Sequence, residues 1–258
     1  MICVYDSGVG GLSALSALRR IAPMVDILYL GDTARVPYGT RSAEAICRFA
    51  DAALSYFEAK KPTAVLCACG TVSTVYLARR RAFAFPVMGV ADAAVDAALA
   101  AAPSGRIAVL GTAATVRSGY FEARIRARRA DAVVHCLACP LFVALAECGM
   151  SAQDDPIPAL AAWRMLSPLG DLGIEAVILA CTHFPWLSVH IARAMPRAAL
   201  IDCGAEAARR RAPMLAAEEG RGRVEYHVTD DPCGFAEVAG RMMGRPLDGA
   251  VSEITLPL

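Results

Sequence analysis

A chain of 258 residues that is 56% hydrophobic, with a formal net charge of +1, holds apolar material for one large domain or two ordinary ones. That balance argues against disorder and against a nucleic-acid partner drawn in by bulk charge. No apolar run approaches the roughly 20 residues of a membrane span, and the opening MICVYDSG lacks a basic n-region and a cleavage site.

In chain order the sequence predicts a strand at 2–5 (ICVY), a helix at 11–21, a strand at 27–30 (ILYL), a helix at 42–60 and a strand at 63–68 (TAVLCA). A helix at 71–83, a strand at 86–90, a helix at 93–102 and a strand at 107–110 follow. Next come a helix at 116–129, a strand at 133–137, a helix at 157–169, a strand at 176–180, a helix at 184–195 and a strand at 198–201. The tail adds a helix near 205–219, a strand near 224–228 and a last helix near 234–244. Continuous apolar strands alternating with amphipathic helices predict an α/β architecture, its mainly parallel sheets covered on both faces.

The pattern occurs twice. AVLCAC at 64–69 and AVILAC at 176–181 agree at four of six positions, and ICVYDSG at 2–8 resembles IAVLGTA at 107–113. Two strand ends in the same order at nearly the same offset predict two similar lobes related by a pseudo-twofold axis. The division expected is 1–91 with 204–258 for the first lobe, carrying Cys69, and 92–203 for the second, carrying Cys181.

Ten cysteines in a chain without a signal fit reduced thiols in a cytoplasm, since Cys3 and Cys67 sit in apolar runs and Cys47 in a helical pattern. Cys136 and Cys139 form a CxxC with no second pair at zinc-ribbon spacing, so no metal is expected there. The two lysines, Lys60 and Lys61, stand at the solvated end of a helix, badly placed for a pyridoxal Schiff base.

Ligands of open α/β sheets bind beyond the carboxyl ends of the strands. Polar residues gather there: Asp6, Ser7, Asp32, Cys69, Thr71, Thr112 and the run Cys181, Thr182, His183. Both lobes end an apolar strand in Ala-Cys and open a helix at once. A helix N-terminus is expected to lower a thiol's pKa, and His183 to help hold Cys181 as thiolate. Two facing thiols are what a cofactor-free racemase needs: one removes an α-proton while the other donates to the opposite face. Thr71, Thr112, Thr115, Ser118 and Thr182 are placed to donate to the substrate carboxylate.

Other readings stay open. DSGVGGLS with Asp32 resembles a dinucleotide loop, except that Ser13 stands where its third Gly or Ala belongs. A zinc site on Cys181 and His183 lacks further ligands at a set spacing. A non-catalytic, two-lobed small-molecule binding protein would keep its ligand after thiol alkylation, whereas a racemase would lose activity. Singly, Asp6 and Asp32 read as caps, Tyr38 and Gly39 as a turn, and Glu147 as a solvated acid.

Seven motifs nonetheless resemble one family: DSGVGGLSAL (6–15), YLGDTARVPYG (29–39), ACGT (68–71), GTAATVRSGY (111–120), CPLFVALAECG (139–149), ACTHFPWL (180–187) and LIDCGAEAA (200–208). They are similar to those of glutamate racemases, in the cofactor-independent aspartate/glutamate racemase superfamily. The resemblance implies Cys69 and Cys181 as the two bases, Asp6 assisting Cys69, and His183 with Glu147 assisting Cys181. It implies Ser7, Pro37, Tyr38, Gly39, Gly70, Thr71, Thr112, Thr115 and Thr182 around the substrate. It further implies no cofactor, a cytoplasmic role supplying D-glutamate for peptidoglycan, and a homodimer as an assembly to consider. A sister racemase acting on aspartate or another small acidic compound is the alternative.

Two positions depart from the family's pattern: Gly70 replaces the Asn of Cys-Asn-Thr, and Cys148 the second acid of Glu-Glu-Gly. Gly70 is expected to leave space beside Cys69, which predicts weak glutamate racemisation improved by Gly70→Asn.

Overall fold

Among the described residues of the computed structural model the strands are β1 Ile2–Asp6, β2 Ile27–Gly31, β3 Ala64–Cys67, β4 Val87–Gly89, β5 Arg106–Gly111, β6 Val133–Ala138, β7 Ala176–Leu179, β8 Ala199–Asp202, β9 Val224–Val228 and β10 Val251–Glu253. The structure describes residues 1–77, 79, 82–215 and 220–257. Its helices are α1 Leu12–Ile21, α2 Ala43–Glu58, α3 Gly70–Val75, α4 Ala91–Ala101, α5 Ala113–Arg117 and α6 Tyr120–Arg128. They continue as α7 Pro140–Glu147, α8 Pro156–Leu166, α9 Ser188–Ala194, α10 Cys203–Leu215 and α11 Pro232–Met243.

The strands form two parallel sheets, ordered β10-β9-β2-β1-β3-β4 and β6-β5-β7-β8. Every residue of β1, β2, β3 and β7 is buried, as expected where helices cover both faces of a parallel sheet. The order β2-β1-β3-β4 recurs as β6-β5-β7-β8, so β1 corresponds to β5 and β3 to β7. Those are the pairs the internal repeat matched. In each sheet the chain leaves the first strand in opposite directions, creating a crevice at the strand ends. The first crevice is flanked by Asp6 and Cys69, the second by Thr112 and Cys181. Helix α10, which follows the last strand of the second sheet, packs on α1 and α4 and ties the two halves together.

Several predicted elements differ. The helix expected at 116–129 is broken into α5 and α6, because Gly119 adopts φ 63° and starts a new helix. Proline shortens two others: Pro168 lies in a 3₁₀ turn over Ser167–Leu169 and Pro185 in one over Phe184–Leu187. The helix expected at 71–83 stops at Val75, and residues 78, 80 and 81 lie outside the described residues. The helix expected to 219 is α10, and residues 216–219 likewise lie outside. Helix α7 and strand β10 were not predicted. The first is eight mostly apolar residues without a polar face, the second only three residues long. No described helix is long and apolar enough to cross a membrane.

Candidate active site

The chain leaves β3 through Ala68, and Cys69 is the residue that opens α3. Cys69 is 5% exposed, and its sulfur lies 3.5 Å from the Oγ of Ser7, which follows β1. Burial pushes the Cys69 thiol up to about 12, and the Asp6 charge pushes the same way. Hydrogen bonds from Ser7 and the Val72 N–H oppose this and lose. The lowering expected from the helix N-terminus is therefore overturned here: α3 is a helix of six residues, and desolvation outweighs it.

Asp6 ends β1 fully buried, accepting from Gly8 N at 3.0 Å and from Thr182 Oγ1 at 3.4 Å. Burial raises its carboxyl above the usual range, although His183 and three hydrogen-bond donors pull it down. Thr182 belongs to the second lobe's strand end, so Asp6 already spans the crevices.

Cys181 is 7% exposed and its sulfur lies 3.7 Å from His183 Nδ1. His183 Nε2 in turn meets Glu147 Oε1, at the end of α7, at 2.9 Å. Burial alone would lower the imidazole, but its hydrogen bonds with Cys181 and Glu147 outweigh that and raise it to about 10. The shift favours the imidazolium form, which donates from both nitrogens. It presents a proton to the thiol's sulfur on one side and is anchored to a carboxylate on the other.

Three hydroxyls form a cluster above the two crevices. Thr71 Oγ1 lies 2.9 Å from Thr112 Oγ1 and 3.4 Å from Thr115 Oγ1, and the latter two are 3.0 Å apart. Thr112 also caps α5, accepting from Thr115 N at 3.2 Å. Ser118 does not join them: it is exposed and donates to the Thr115 carbonyl at 2.7 Å.

The segment Pro37–Thr40 lies against the start of α5, where a Cβ on Gly39 would come within 2.7 Å of Thr112 Cβ. Pro37 is exposed, while Tyr38 is buried and its hydroxyl is committed away from the threonines. It donates to Asp32 and accepts from Tyr5 at 2.8 Å. Asp32, wholly buried, also accepts from Thr229 Oγ1 at 2.8 Å and from Arg35 at 3.0 Å. From sequence Asp32 reads as a cap or as part of a dinucleotide loop. Its place is as the anchor of the segment 33–40, for which the only sequence signal was an acid directly after an apolar strand.

The glycine-rich loop 8–11 is filled by the protein itself. A Cβ on Gly10 would meet Thr182 Oγ1 at 2.4 Å and the His183 ring at 2.7 Å, and one on Gly11 would meet Asp6 at 2.6 Å. Gly10 thus admits the other lobe's strand end, while Gly11 lies against Asp6 and Tyr29 of its own lobe. The space expected beside Cys69 is also occupied: a Cβ on Gly70 would stand 2.1 Å from the Ala180 carbonyl oxygen. An Asn side chain there would meet this backbone, so the open space expected beside Cys69 is absent. All ten cysteines are free thiols.

Two similar α/β halves therefore meet with a buried thiol at each of two equivalent strand ends, a polar assistant beside each, and clustered hydroxyl donors. The sequence profile of the Asp/Glu/hydantoin racemases matches residues 13–210, and the chain belongs to that family. A glutamate racemase of Geobacter metallireducens is 36% identical over 99% of this chain and 96% of its own. A glutamate racemase structure from Bacillus anthracis superposes with a TM-score of 0.91 at 29% identity, covering 100% of this chain and 98% of that one. A glutamate racemase of Francisella tularensis, solved with D-glutamate, superposes at 0.88 with 30% identity, covering 98% and 97%.

Proposed function

We propose that this protein interconverts L- and D-glutamate by two-base proton transfer at the α-carbon, with Cys69 and Cys181 as the bases. The observation that carries the reading is the pair of buried thiols at pseudo-equivalent strand ends. The glutamate racemases that resemble the chain over nearly its whole length support the substrate. One sulfur, as thiolate, takes the α-proton from its face of the substrate. The opposite thiol gives its proton to the other face, and the pair is left with roles exchanged. Negative charge grows on the substrate carboxylate as the C–H bond breaks, and Thr71, Thr112, Thr115 and Thr182 are the hydroxyl donors that receive it. His183, held by Glu147, stabilises charge on Cys181, while Asp6 and Ser7 serve Cys69. Burial favours Cys69 as a neutral thiol, ready to donate.

The reaction needs no cofactor, and it supplies D-glutamate for peptidoglycan in a bacterial cytoplasm. A homodimer is the assembly we read, supported by the exposed apolar face of α8, where Ile157, Leu160 and Trp163 are 53%, 65% and 59% exposed.

Incubation with L-glutamate in D₂O tests the mechanism. Early in the reaction deuterium should enter the D-product while recovered L-glutamate keeps its proton. Equal labelling of both would point to a single base, and conversion of aspartate with no conversion of glutamate would move the substrate to the alternative.

A further inference from the structure

Tyr29 opens the motif YLGDTARVPYG, yet the proposed chemistry does not use it. It stands on β2 in register with Val4 and Tyr226, and it is wholly buried. Its ring packs against those of Tyr226 and Phe235 at centroid distances of 6.1 and 6.0 Å. A phenol so enclosed needs a partner for its hydroxyl. It finds one in the loop after β1, donating to the Gly8 carbonyl at 2.6 Å. Burial first, then the charges of Asp6 and Cys69, push the phenol well above its ordinary pKa, so it keeps the proton it donates.

That hydrogen bond holds the loop against β2. The Gly8 carbonyl comes so close to the strand that a Cβ on Gly31 would stand 2.8 Å from its oxygen. Further along the loop, a Cβ on Gly11 would stand 2.9 Å from the Tyr29 hydroxyl and 2.6 Å from Asp6 Cβ. The Gly11 N–H faces both the Tyr29 oxygen and the Asp6 carboxyl and pulls the pKa of each down. The loop in turn touches the partners of both thiols. Ser7 Oγ lies 3.5 Å from the Cys69 sulfur, and the Gly8 N–H donates to Asp6 at 3.0 Å. Gly10 lies against Thr182 and the His183 ring, and that ring reaches the Cys181 sulfur at 3.7 Å.

We propose that Tyr29 is a positioning residue for both bases: its hydroxyl pins the loop 7–11 to β2, and the loop holds Ser7 and Asp6 at Cys69 and braces His183 at Cys181. The kinetic part of this inference rests on the racemase reading, and the pinning of the loop does not.

The test is Tyr29→Phe, which removes the hydroxyl and keeps the ring, beside Tyr226→Phe as a control. Tyr226 shares the aromatic stack, but its hydroxyl donates to Asp248 at 2.8 Å and not to the loop. For each variant kcat and KM are measured with both glutamate enantiomers, alongside a thermal melt and a crystal structure. In Tyr29→Phe, kcat should fall about tenfold, as expected for one buried hydrogen bond lost. KM should stay within about threefold, because the threonine donors are untouched. The loop should move off β2 by about 0.5 Å, since a misplacement of about 1 Å costs about a hundredfold. Tyr226→Phe should keep the parental kcat even where its melt falls. A Tyr29→Phe kcat within about twofold of the parent overturns the proposal. So does a loss carried by KM, a loop that stays in place, or an equal kcat loss in Tyr226→Phe. A Tyr29→Phe variant that fails to fold overturns it too, since the hydroxyl would then serve the fold and not the bases. If the parent interconverts neither enantiomer, the racemase reading fails, while the position of the loop in the variant still decides whether Tyr29 pins it.

Discussion

Each thiol at the site has a different environment, and the difference is testable one residue at a time. Replacing Cys69 or Cys181 by Ser substitutes a far weaker base at fixed geometry, so interconversion should fall by at least about 10²–10⁴-fold. Calorimetric binding of glutamate should persist, since the hydroxyl donors are untouched. A Cys181→Ser variant with parental turnover would remove Cys181 from the mechanism. His183 supplies a pH signature. Its pKa is raised from 6.5 to about 10, so the stabilisation from its charged form is complete below pH 6.5 and is lost as pH rises through about 10. Glu147 is one of the groups that hold it up. In Glu147→Gln the alkaline limb of both stability and kcat/KM should therefore move to lower pH, as pH-dependent unfolding and rate profiles would record. An unmoved limb would mean that Glu147 is a bystander.

Among the elements, the segment 33–40 depends most on a single side chain. Asp32 binds Tyr38, Arg35 and Thr229 in a site where its own carboxylate is fully buried. Asp32→Ala leaves the Arg35 guanidinium without its carboxylate, in a side chain only 13% exposed. Breaking a buried pair from one side costs about 3–5 kcal/mol, which urea unfolding would register as a lower midpoint. Because Tyr38 and Gly39 travel with the segment toward Thr112, KM for glutamate should rise as well. A midpoint shift with KM unchanged would separate the anchor from the substrate site.

At the level of the whole molecule, the exposed apolar face of α8 is the surface that a second copy would cover. Trp163→Glu should leave the fold and the site intact and give a monomer by light scattering, where the parent should give the proposed dimer. A monomeric parent would remove the dimer from the account. The sequence by itself determined the parallel α/β architecture, because strands buried on both faces must be apolar throughout. It also determined the duplication, because each half needs the same strand end, and it singled out Cys69 and Cys181, the nucleophilic residue type repeated where those strands finish. Only the tertiary structure decided what the neighbours do. Thr182 closes on Asp6 and fills the glycine loop, Asp32 anchors Tyr38, and Glu147 reaches His183 from a helix that sequence periodicity did not predict. It also decided that Cys69 sits high, near 12, and that Gly70 is a contact and not a vacancy. Desolvation and close approach are properties of what packs from elsewhere in the chain, and no local pattern of residues carries them.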